Sequence, residues 1–183
     1  PDSHSNFPHG WAMASNTPLR RYKQNTRGGG IRDPFVMTGP KKIVAKGEVR
    51  HQFVHACDLT PTLLDLIGIA PPAEIGGVAQ MPLEGESFAR SITDPSAPSK
   101  SSPQYFEMFG HRGIWHDGWK AVSFPPSGTP FENDKWELFH LDGDFSEVDD
   151  LAAKQPDRLA EMIKLWWSEA EKHNVLPLDD RFV

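Results

Sequence analysis

The residues with the clearest chemical potential lie between positions 16 and 34, in the segment NTPLRRYKQNTRGGGIRDP. Four cationic side chains lead into three consecutive glycines, Gly28–Gly30; the cations are Arg20, Arg21, Lys23 and Arg27. Glycine backbone can approach a ligand closely because it carries no Cβ. Exposed backbone N–H groups and a fixed cation together suit an oxyanion. The glycine spacing fits neither the P-loop nor the dinucleotide fingerprint, so a solvated basic turn is the alternative interpretation.

Lys23 is the sharpest catalytic candidate in this segment. A lysine ammonium is a compact point charge that can follow a sulfate or phosphate oxygen through a reaction. A cation held in a cleft stabilises negative charge that grows in the transition state, an effect often worth about 3 kcal/mol. The alternative is an exposed surface lysine with no part in chemistry.

Two pairs of histidines are possible ligands. His51 and His55 have the i, i+4 spacing of a helical zinc pair, but the glutamate of HExxH is absent and the segment reads as extended. Polar ends of a strand are therefore the favoured interpretation. His4 and His9 lie in a segment without periodicity, which favours solvated loop histidines over a ligand site.

An acidic run lies shortly before the last predicted helix, and its members are Asp142, Asp144, Glu147, Asp149 and Asp150. Its spacing does not match an EF-hand loop, because no glycine stands sixth and no glutamate twelfth. We therefore predict a solvated connection rather than a metal site.

Composition excludes several classes of function. The chain has 183 residues and a formal net charge of −6, so wholesale binding of nucleic acid is not expected. Cys57 is the single cysteine, which excludes an intramolecular disulfide and a multi-cysteine metal site. No run approaches the roughly 18 apolar residues of a membrane span, so no membrane partner is expected either. The sequence starts at Pro1 without an initiator methionine, which suggests a mature product or a piece of a longer protein.

The first half of the sequence predicts one helix with clear boundaries. Asp58 is expected to cap a helix over residues 59–67, with Pro61 tolerated in the first turn and Gly68 as the stop. Its apolar stripe consists of Leu59, Leu63, Leu66 and Ile67.

Weaker patterns surround that helix. Residues 34–38 read as a short strand, and residues 49–55 as an extended segment. Residues 70–84 read as a Pro/Gly loop, and residues 86–92 as a short helix. Residues 93–103, TDPSAPSKSSP, read as a low-complexity linker that buries little.

The second half predicts an antiparallel meander covered by a helix. Four short segments rich in aromatic residues predict strands, at 105–109, 113–116, 119–124 and 136–141. Asp117-Gly118 is a strong two-residue hairpin signal between the second and third. Residues 156–172 predict an amphipathic helix, and its apolar face consists of Leu159, Ile163, Trp166 and Ala170.

Several motifs, taken together, carry a resemblance to a known family. The first set is Trp11-Ala12, Asn16-Thr17-Pro18, Arg20, Tyr22-Lys23, Thr26, Gly28-Gly29-Gly30-Ile31-Arg32 and Pro34. The second is the helix DLTPTLLDLIG at residues 58–68. The third is Asp117-Gly118-Trp119-Lys120, Trp136-Glu137-Leu138-Phe139 and Leu151-Ala152. Over nearly the whole chain, this pattern resembles the sulfatase family, in particular the large bacterial arylsulfatases.

The resemblance implies a fold and a role for Lys23. The implied fold is α/β and alkaline phosphatase-like, with this chain covering only its C-terminal portion. Residues 1–92 would form the C-terminal part of the large mixed-sheet domain, and residues 93–103 would be a linker. Residues 104–183 would form the small subdomain, an antiparallel sheet with a C-terminal helix. Lys23 corresponds to the active-site lysine that contacts the sulfate group, while Gly28–Gly30 become structural residues that turn the chain.

The departures from the family pattern concern the nucleophile and the metal. Sulfatases use a formylglycine made from the Cys or Ser of a C/S-x-P-S/A-R motif. The proline after Cys57 is at the wrong position, and the serine-like motif at Ser96–Lys100 has lysine in place of arginine. The family's calcium carboxylates lie mostly in the N-terminal part, so no metal ligand is assigned here, Asp2 included.

The resulting hypothesis is part of an arylsulfatase that hydrolyses a small-molecule sulfate ester. Its formylglycine and Ca²⁺ would come from a missing N-terminal sulfatase segment, so the chain alone is expected to be inactive. The alternatives are a non-catalytic module that binds an anion or a partner, and a phosphoester hydrolase of the same superfamily. A strand at 34–38 without the other strands of its sheet also predicts exposed apolar surface over residues 31–69.

Overall fold

The computed structural model describes residues 6–39, 43 and 47–181, so His4 and Asp2 lie outside the described residues. Its α-helices, in chain order, are α1 (His9–Ser15), α2 (Gly28–Ile31), α3 (Leu59–Ile67), α4 (Ala89–Thr93) and α5 (Pro156–Lys172). Its strands are β1 (Glu74–Ile75), β2 (Val78–Ala79), β3 (Gln104–Met108), β4 (His111–His116), β5 (Trp119–Ser123) and β6 (Trp136–His140). Two short 3₁₀ turns lie at Ala56–Asp58 and Phe131–Asn133.

The chain forms two compact units. The sheet unit contains the residues up to Pro34 together with those from Pro103 onward, and the α3 unit contains Phe35–Ser102. Residues that precede Pro34, Lys23 among them, therefore pack with the C-terminal sheet. A division of the chain into compact units need not coincide with its division into family domains. The domain boundaries 1–92, 93–103 and 104–183 therefore stay a prediction.

The sheet unit is the predicted antiparallel meander covered by a helix. Its four strands pair in the order β3-β4-β5-β6, each antiparallel to its neighbour. Asp117 and Gly118 both have positive φ, 49° and 77°, which is the geometry that a two-residue hairpin between β4 and β5 requires. The prediction of a small antiparallel sheet with a C-terminal helix is confirmed.

Helix α5 closes the core of the sheet unit. Its bounds, Pro156–Lys172, are those predicted from the periodicity. Trp166 is fully buried, and its indole Nε1 donates a hydrogen bond of 3.1 Å to the carbonyl oxygen of Phe106 in β3. The shared core consists of Ile114, Ala121, Trp136, Leu138, Met162, Trp166 and Ala170.

Helix α3 has the predicted bounds, but Asp58 does not act as its cap. Gly68 ends the helix in the left-handed conformation, with φ of 74°. The Asp58 side chain makes no capping bond to α3, and its carboxylate instead accepts hydrogen bonds from the backbone N–H groups of His55 (2.8 Å) and Glu86 (2.9 Å). The cap prediction is wrong because a 3₁₀ turn ending at Asp58 precedes the helix and turns the carboxylate backward.

The strand and loop predictions between residues 34 and 84 are also wrong. In the described part of the chain, residues 34–38 form no strand, because the segment meets no pairing partner, whereas residues 49–55 form an irregular segment that is extended at His55, with φ of −116° and ψ of 159°. Strands β1 and β2 instead lie in the predicted loop, joined by Gly76 and Gly77, both with positive φ. Whether a segment forms a strand depends on its pairing with a neighbouring segment, and the local sequence shows only a preference for extended structure.

The segment 93–103 packs against the rest of the α3 unit. The side-chain Nε2 of Gln52 donates to the carbonyl oxygens of Pro95 and Ala97, at 2.8 and 2.7 Å. The backbone N–H of Phe53 donates to Ser99 Oγ at 3.0 Å. Ala97 is, however, the one buried residue of the segment and six of its eleven residues are exposed, so the segment buries little, as expected, although it is hydrogen-bonded to the α3 unit.

The α3 unit carries many exposed apolar side chains, as expected for residues 31–69. Val36 is 90% exposed and Val49 72%, and the exposed set also includes Phe35, Leu63, Ile67, Ile69, Ile75, Val78, Met81 and Leu83. Among the described residues no helix is both long and apolar enough to cross a membrane.

Candidate functional site

Lys23 lies in a tightly folded segment, residues 16–30, called the Lys23 loop below. Its two close neighbours Arg21 and Gln24 have φ of 71° and 70°, in the left-handed region. A residue with a Cβ loses about 1–2 kcal/mol there, and such a conformation persists only when its surroundings fix it. Lys23 is therefore presented by a backbone that is held rather than free.

Internal hydrogen bonds close the Lys23 loop. The N–H of Gly29 donates to the carbonyl oxygen of Arg20 at 2.8 Å. The side-chain Nδ2 of Asn16 donates to the carbonyl oxygens of Arg21 and Gly29, both at 2.9 Å. A Cβ on Gly29 would collide with the carbonyl oxygens of Arg21 and Arg20, and a Cβ on Gly30 with that of Asn25. Because they lack a Cβ, these glycines let two stretches of the loop backbone lie in close contact. This agrees with the structural role that the resemblance implies for them.

Strand β4 fixes the middle of the Lys23 loop. His111 Nδ1 lies 2.6 Å from the carbonyl oxygen of Gln24, which is the acceptor of that hydrogen bond. The hydroxyl of Thr26 donates to the carbonyl oxygen of Arg112 at 2.9 Å. The loop that presents Lys23 is thus anchored on a central strand of the sheet.

The four cations of the loop do not form one anion site. Arg27 is buried and forms an ion pair with Glu137 of β6, and Arg21 lies over the ring of Phe124 at 5.3 Å. Lys23 is exposed, and it forms no ion pair within the described residues. The four cations therefore have separate surroundings, and the exposed Lys23 is available to an anion from solution.

The acidic run contains a buried carboxylate, so the prediction of a solvated connection is wrong at that point. Glu147 is 2% exposed, and its Oε1 lies 2.5 Å from Nζ of Lys120 in β5. Asp150 Oδ1 accepts hydrogen bonds from the backbone N–H groups of Leu138 and Ala152. The sequence signal that could have shown this pair is Lys120, a charged residue inside an apolar strand.

Burial lowers the pKa of Lys120, and the adjacent Glu147 carboxylate opposes that shift. Burial likewise lowers the pKa of Arg32, again with Glu147 in opposition. The Glu147 carboxylate therefore opposes the effect of burial on two cations, Lys120 and Arg32.

Arg112, which sequence reasoning missed, is a second buried cation of the sheet unit. It forms an ion pair with Asp134, and its guanidinium carbon lies 5.1 Å from the ring centre of Trp136 and 5.2 Å from that of Phe131. Burial lowers its pKa to about 10. With no access to solvent, Arg112 serves packing rather than ligand binding.

A separate group of polar side chains lies in the α3 unit. His55 Nδ1 is 3.1 Å from Cys57 Sγ, and Asp58 Oδ1 is 3.6 Å from the same sulfur. Lys100 Nζ lies 3.2 Å from Asp58 Oδ1. Burial first, and then Asp58, raises the pKa of the Cys57 thiol, while burial lowers the pKa of His55. This pair stays neutral at pH 7 and is not an activated nucleophile.

We expect Cys57 to react slowly with iodoacetamide at pH 7 to 8. Because the negative charge of Asp58 raises the thiol pKa and Lys100 lowers it, Asp58→Asn should speed alkylation and Lys100→Met should slow it. A shift of one pKa unit would change the rate about tenfold below the pKa. Mass spectrometry of the alkylated chain across pH measures this. Rates that move in the same direction in both variants would contradict the assignment.

Three comparisons with known proteins define the class of this chain. The family model described as "N-sulphoglucosamine sulphohydrolase, C-terminal" matches residues 23–173, beginning at Lys23. The chain is 29% identical over 175 residues, 94% of its length, to an uncharacterised sulfatase of Schizosaccharomyces pombe. It is 32% identical over 138 residues, 73% of its length, to the N-acetylgalactosamine-6-sulfatase of Rattus norvegicus. The chain belongs to the sulfatases, as a C-terminal region of that family.

A solved structure agrees with this membership. The crystal structure of Ps i-CgsB in complex with k-i-k-neocarrahexaose matches 85% of the chain with a TM-score of 0.62 and 27% identity. The chain covers 31% of the yeast sulfatase, 26% of the rat enzyme and 32% of that structure. It therefore spans about a third or less of the length of these relatives.

Proposed function

We propose that this chain is the C-terminal part of a sulfuric ester hydrolase in which Lys23 contacts the sulfate group of the substrate. The observation that carries the proposal is the presentation of Lys23: an exposed ammonium on a strained, hydrogen-bonded loop, at the first residue of the family match.

Lys23 would act through charge and hydrogen bonding. Its ammonium donates to a non-bridging sulfate oxygen, and its positive charge offsets the negative charge that develops as the ester S–O bond breaks. Because the loop is fixed before the substrate arrives, little reorganisation is needed at the moment of reaction. The remaining charge on the sulfate requires further partners.

The nucleophile and the metal would come from residues outside this chain. By the resemblance, the nucleophile is a formylglycine, and neither Cys57 nor Ser96 stands in the motif that forms one. In the described part of the chain, no three His, Cys, Asp or Glu side chains group closely enough to hold a metal ion. Calcium therefore receives no ligand from these residues in the proposal, and Lys23 is the contribution of this chain.

We also propose a narrower class of substrate. Aryl sulfate is the expectation from the resemblance. One relative is an N-acetylgalactosamine-6-sulfatase and the similar solved structure holds k-i-k-neocarrahexaose, which supports a sulfated sugar as the natural substrate. Both substrate types contain the sulfate ester that Lys23 would contact.

The test is hydrolysis by the natural protein that contains these residues, compared with the 183-residue chain alone. We expect the natural protein to release sulfate from an aryl sulfate or a sulfated galactosamine, and the isolated chain to show negligible turnover. The matching phosphate ester is the control, because preferential phosphate release would favour the phosphoester hydrolase. Metal-dependent turnover by the isolated chain close to that of the natural protein would contradict the proposal.

A further inference from the structure

We infer that the backbone carbonyl of Glu147 is a clamp that positions Lys23, by holding the two arginines on either side of it. The inference rests on the proposed role of Lys23 in sulfate ester hydrolysis. It assigns a positioning function to Arg20 and Arg27, which the sequence indicated only as members of a basic cluster.

The clamp consists of two hydrogen bonds to one oxygen atom. Arg20 Nη1 donates to the carbonyl oxygen of Glu147 at 3.1 Å, and Arg27 Nη1 donates to the same oxygen at 3.4 Å. Arg20 lies three residues before Lys23 and Arg27 lies four residues after it. Both ends of the segment that presents Lys23 are thereby tied to a single point of the chain.

Glu147 is itself held in place. Its φ is 58°, in the left-handed region, and its buried carboxylate pairs with Lys120 of β5 at 2.5 Å. Gly28 packs against that carboxylate, and a Cβ at Gly28 would lie 3.3 Å from Oε1 of Glu147. The carbonyl that receives the two arginines is therefore attached to the sheet through the pair of Glu147 with Lys120.

Arg27 has a second attachment to the sheet. Its guanidinium forms an ion pair with Glu137 and lies over the ring of Phe139 at 5.1 Å, and both residues belong to β6. Arg20 is exposed, and its bond to Glu147 holds the opposite end of the segment. Loss of either arginine should let Arg21 and Gln24 relax toward less strained backbone and displace the ammonium between them. A misplacement of 1 Å can cost about 100-fold in rate.

The test is a kinetic double-mutant cycle in the natural protein, with a sulfate ester as the probe. Because a backbone carbonyl cannot be removed by substitution, the donor is changed instead, as Arg20→Met, alone and together with Lys23→Ala. We expect Arg20→Met to lower kcat/KM about tenfold or more when Lys23 is present, in line with a displaced catalytic group. In the Lys23→Ala background the same change should have almost no further effect, because the group it positions is gone.

Two further variants separate positioning from general damage. Arg20→Lys keeps a donor and should restore part of the loss. Arg158→Met replaces another exposed arginine of the sheet unit, on α5, and should leave turnover unchanged. Hydrogen exchange of the peptide covering residues 16–30 should be faster in Arg20→Met than in Arg158→Met, independently of any activity.

The outcomes distinguish this inference from the function on which it rests. An equal loss from Arg20→Met in both backgrounds would overturn the clamp while leaving the role of Lys23 intact. No loss from Lys23→Ala alone would overturn the proposed function, and the clamp with it. Non-additive losses together with rescue by Arg20→Lys would support both.

Discussion

Lys23→Ala is expected to lower kcat for sulfate ester hydrolysis by the natural protein about 10²- to 10³-fold, the usual effect of removing one preorganised charge-stabilising group. The reason is that Lys23 is exposed, forms no ion pair within the described residues and is presented by a fixed loop. The fold should survive, because the side chain contributes nothing to the core. Initial rates with an aryl sulfate and a sulfated sugar measure the loss.

Lys164→Ala is the matched control for that result. Lys164 is an exposed lysine on α5, in the same unit, so it reproduces the change in composition and charge without touching the Lys23 loop. Lys23→Arg should recover only part of the rate, since a planar guanidinium does not place its charge as an ammonium does. Equal rates for Lys23→Ala and Lys164→Ala would remove Lys23 from the reaction.

Lys120→Met is expected to lower the free energy of unfolding by about 3–5 kcal/mol, the range measured when one member of a buried ion pair is removed. The substitution keeps an unbranched side chain that is one heavy atom shorter, and it leaves the carboxylate of Glu147 buried without Lys120. Urea unfolding of the chain at pH 7, followed by tryptophan fluorescence, measures the change.

The double variant Lys120→Met with Glu147→Met tests the cause of that loss. Because it removes both charges, it should recover at least half of the lost stability, since well-packed apolar residues often replace a buried pair at little cost. Lys172→Met, at the exposed end of α5, controls for the substitution itself and should change little. A double variant less stable than Lys120→Met alone would show that the ion pair is not the source.

Local patterns were sufficient to predict the strands and the long helix of the sheet unit. Aromatic content located all four strands to within two residues at each end, and the 3.6-residue period located α5. Asp117-Gly118 gave the turn, because only a few residues adopt two successive positive φ values. The periodicity of α3 was equally clear. In each case the information lies within a few neighbouring positions.

The charged interior could not be predicted in the same way. The partners of Arg27 are Glu137 and Glu147, 110 and 120 residues further along the chain, and no local period connects them. The acidic run read as solvated because Glu147 has the sequence context of an ordinary surface residue, and its cation Lys120 lies 27 residues earlier in the chain. The strand prediction at residues 34–38 was wrong for a related reason, since a strand needs a pairing partner that its own sequence does not specify.

The bond between Arg20 and Glu147 spans 127 residues, and this separation has a consequence for how the protein is made. At a ribosomal rate of about 5–20 residues per second, roughly 6–25 seconds pass between the synthesis of Arg20 and that of Glu147. During that interval the nascent chain contains Lys23 without the contacts that fix its loop. A truncated product that ends before Glu147 would retain the lysine and lack the contacts that fix its loop, so the loop can take its final geometry only after Glu147 has been synthesised.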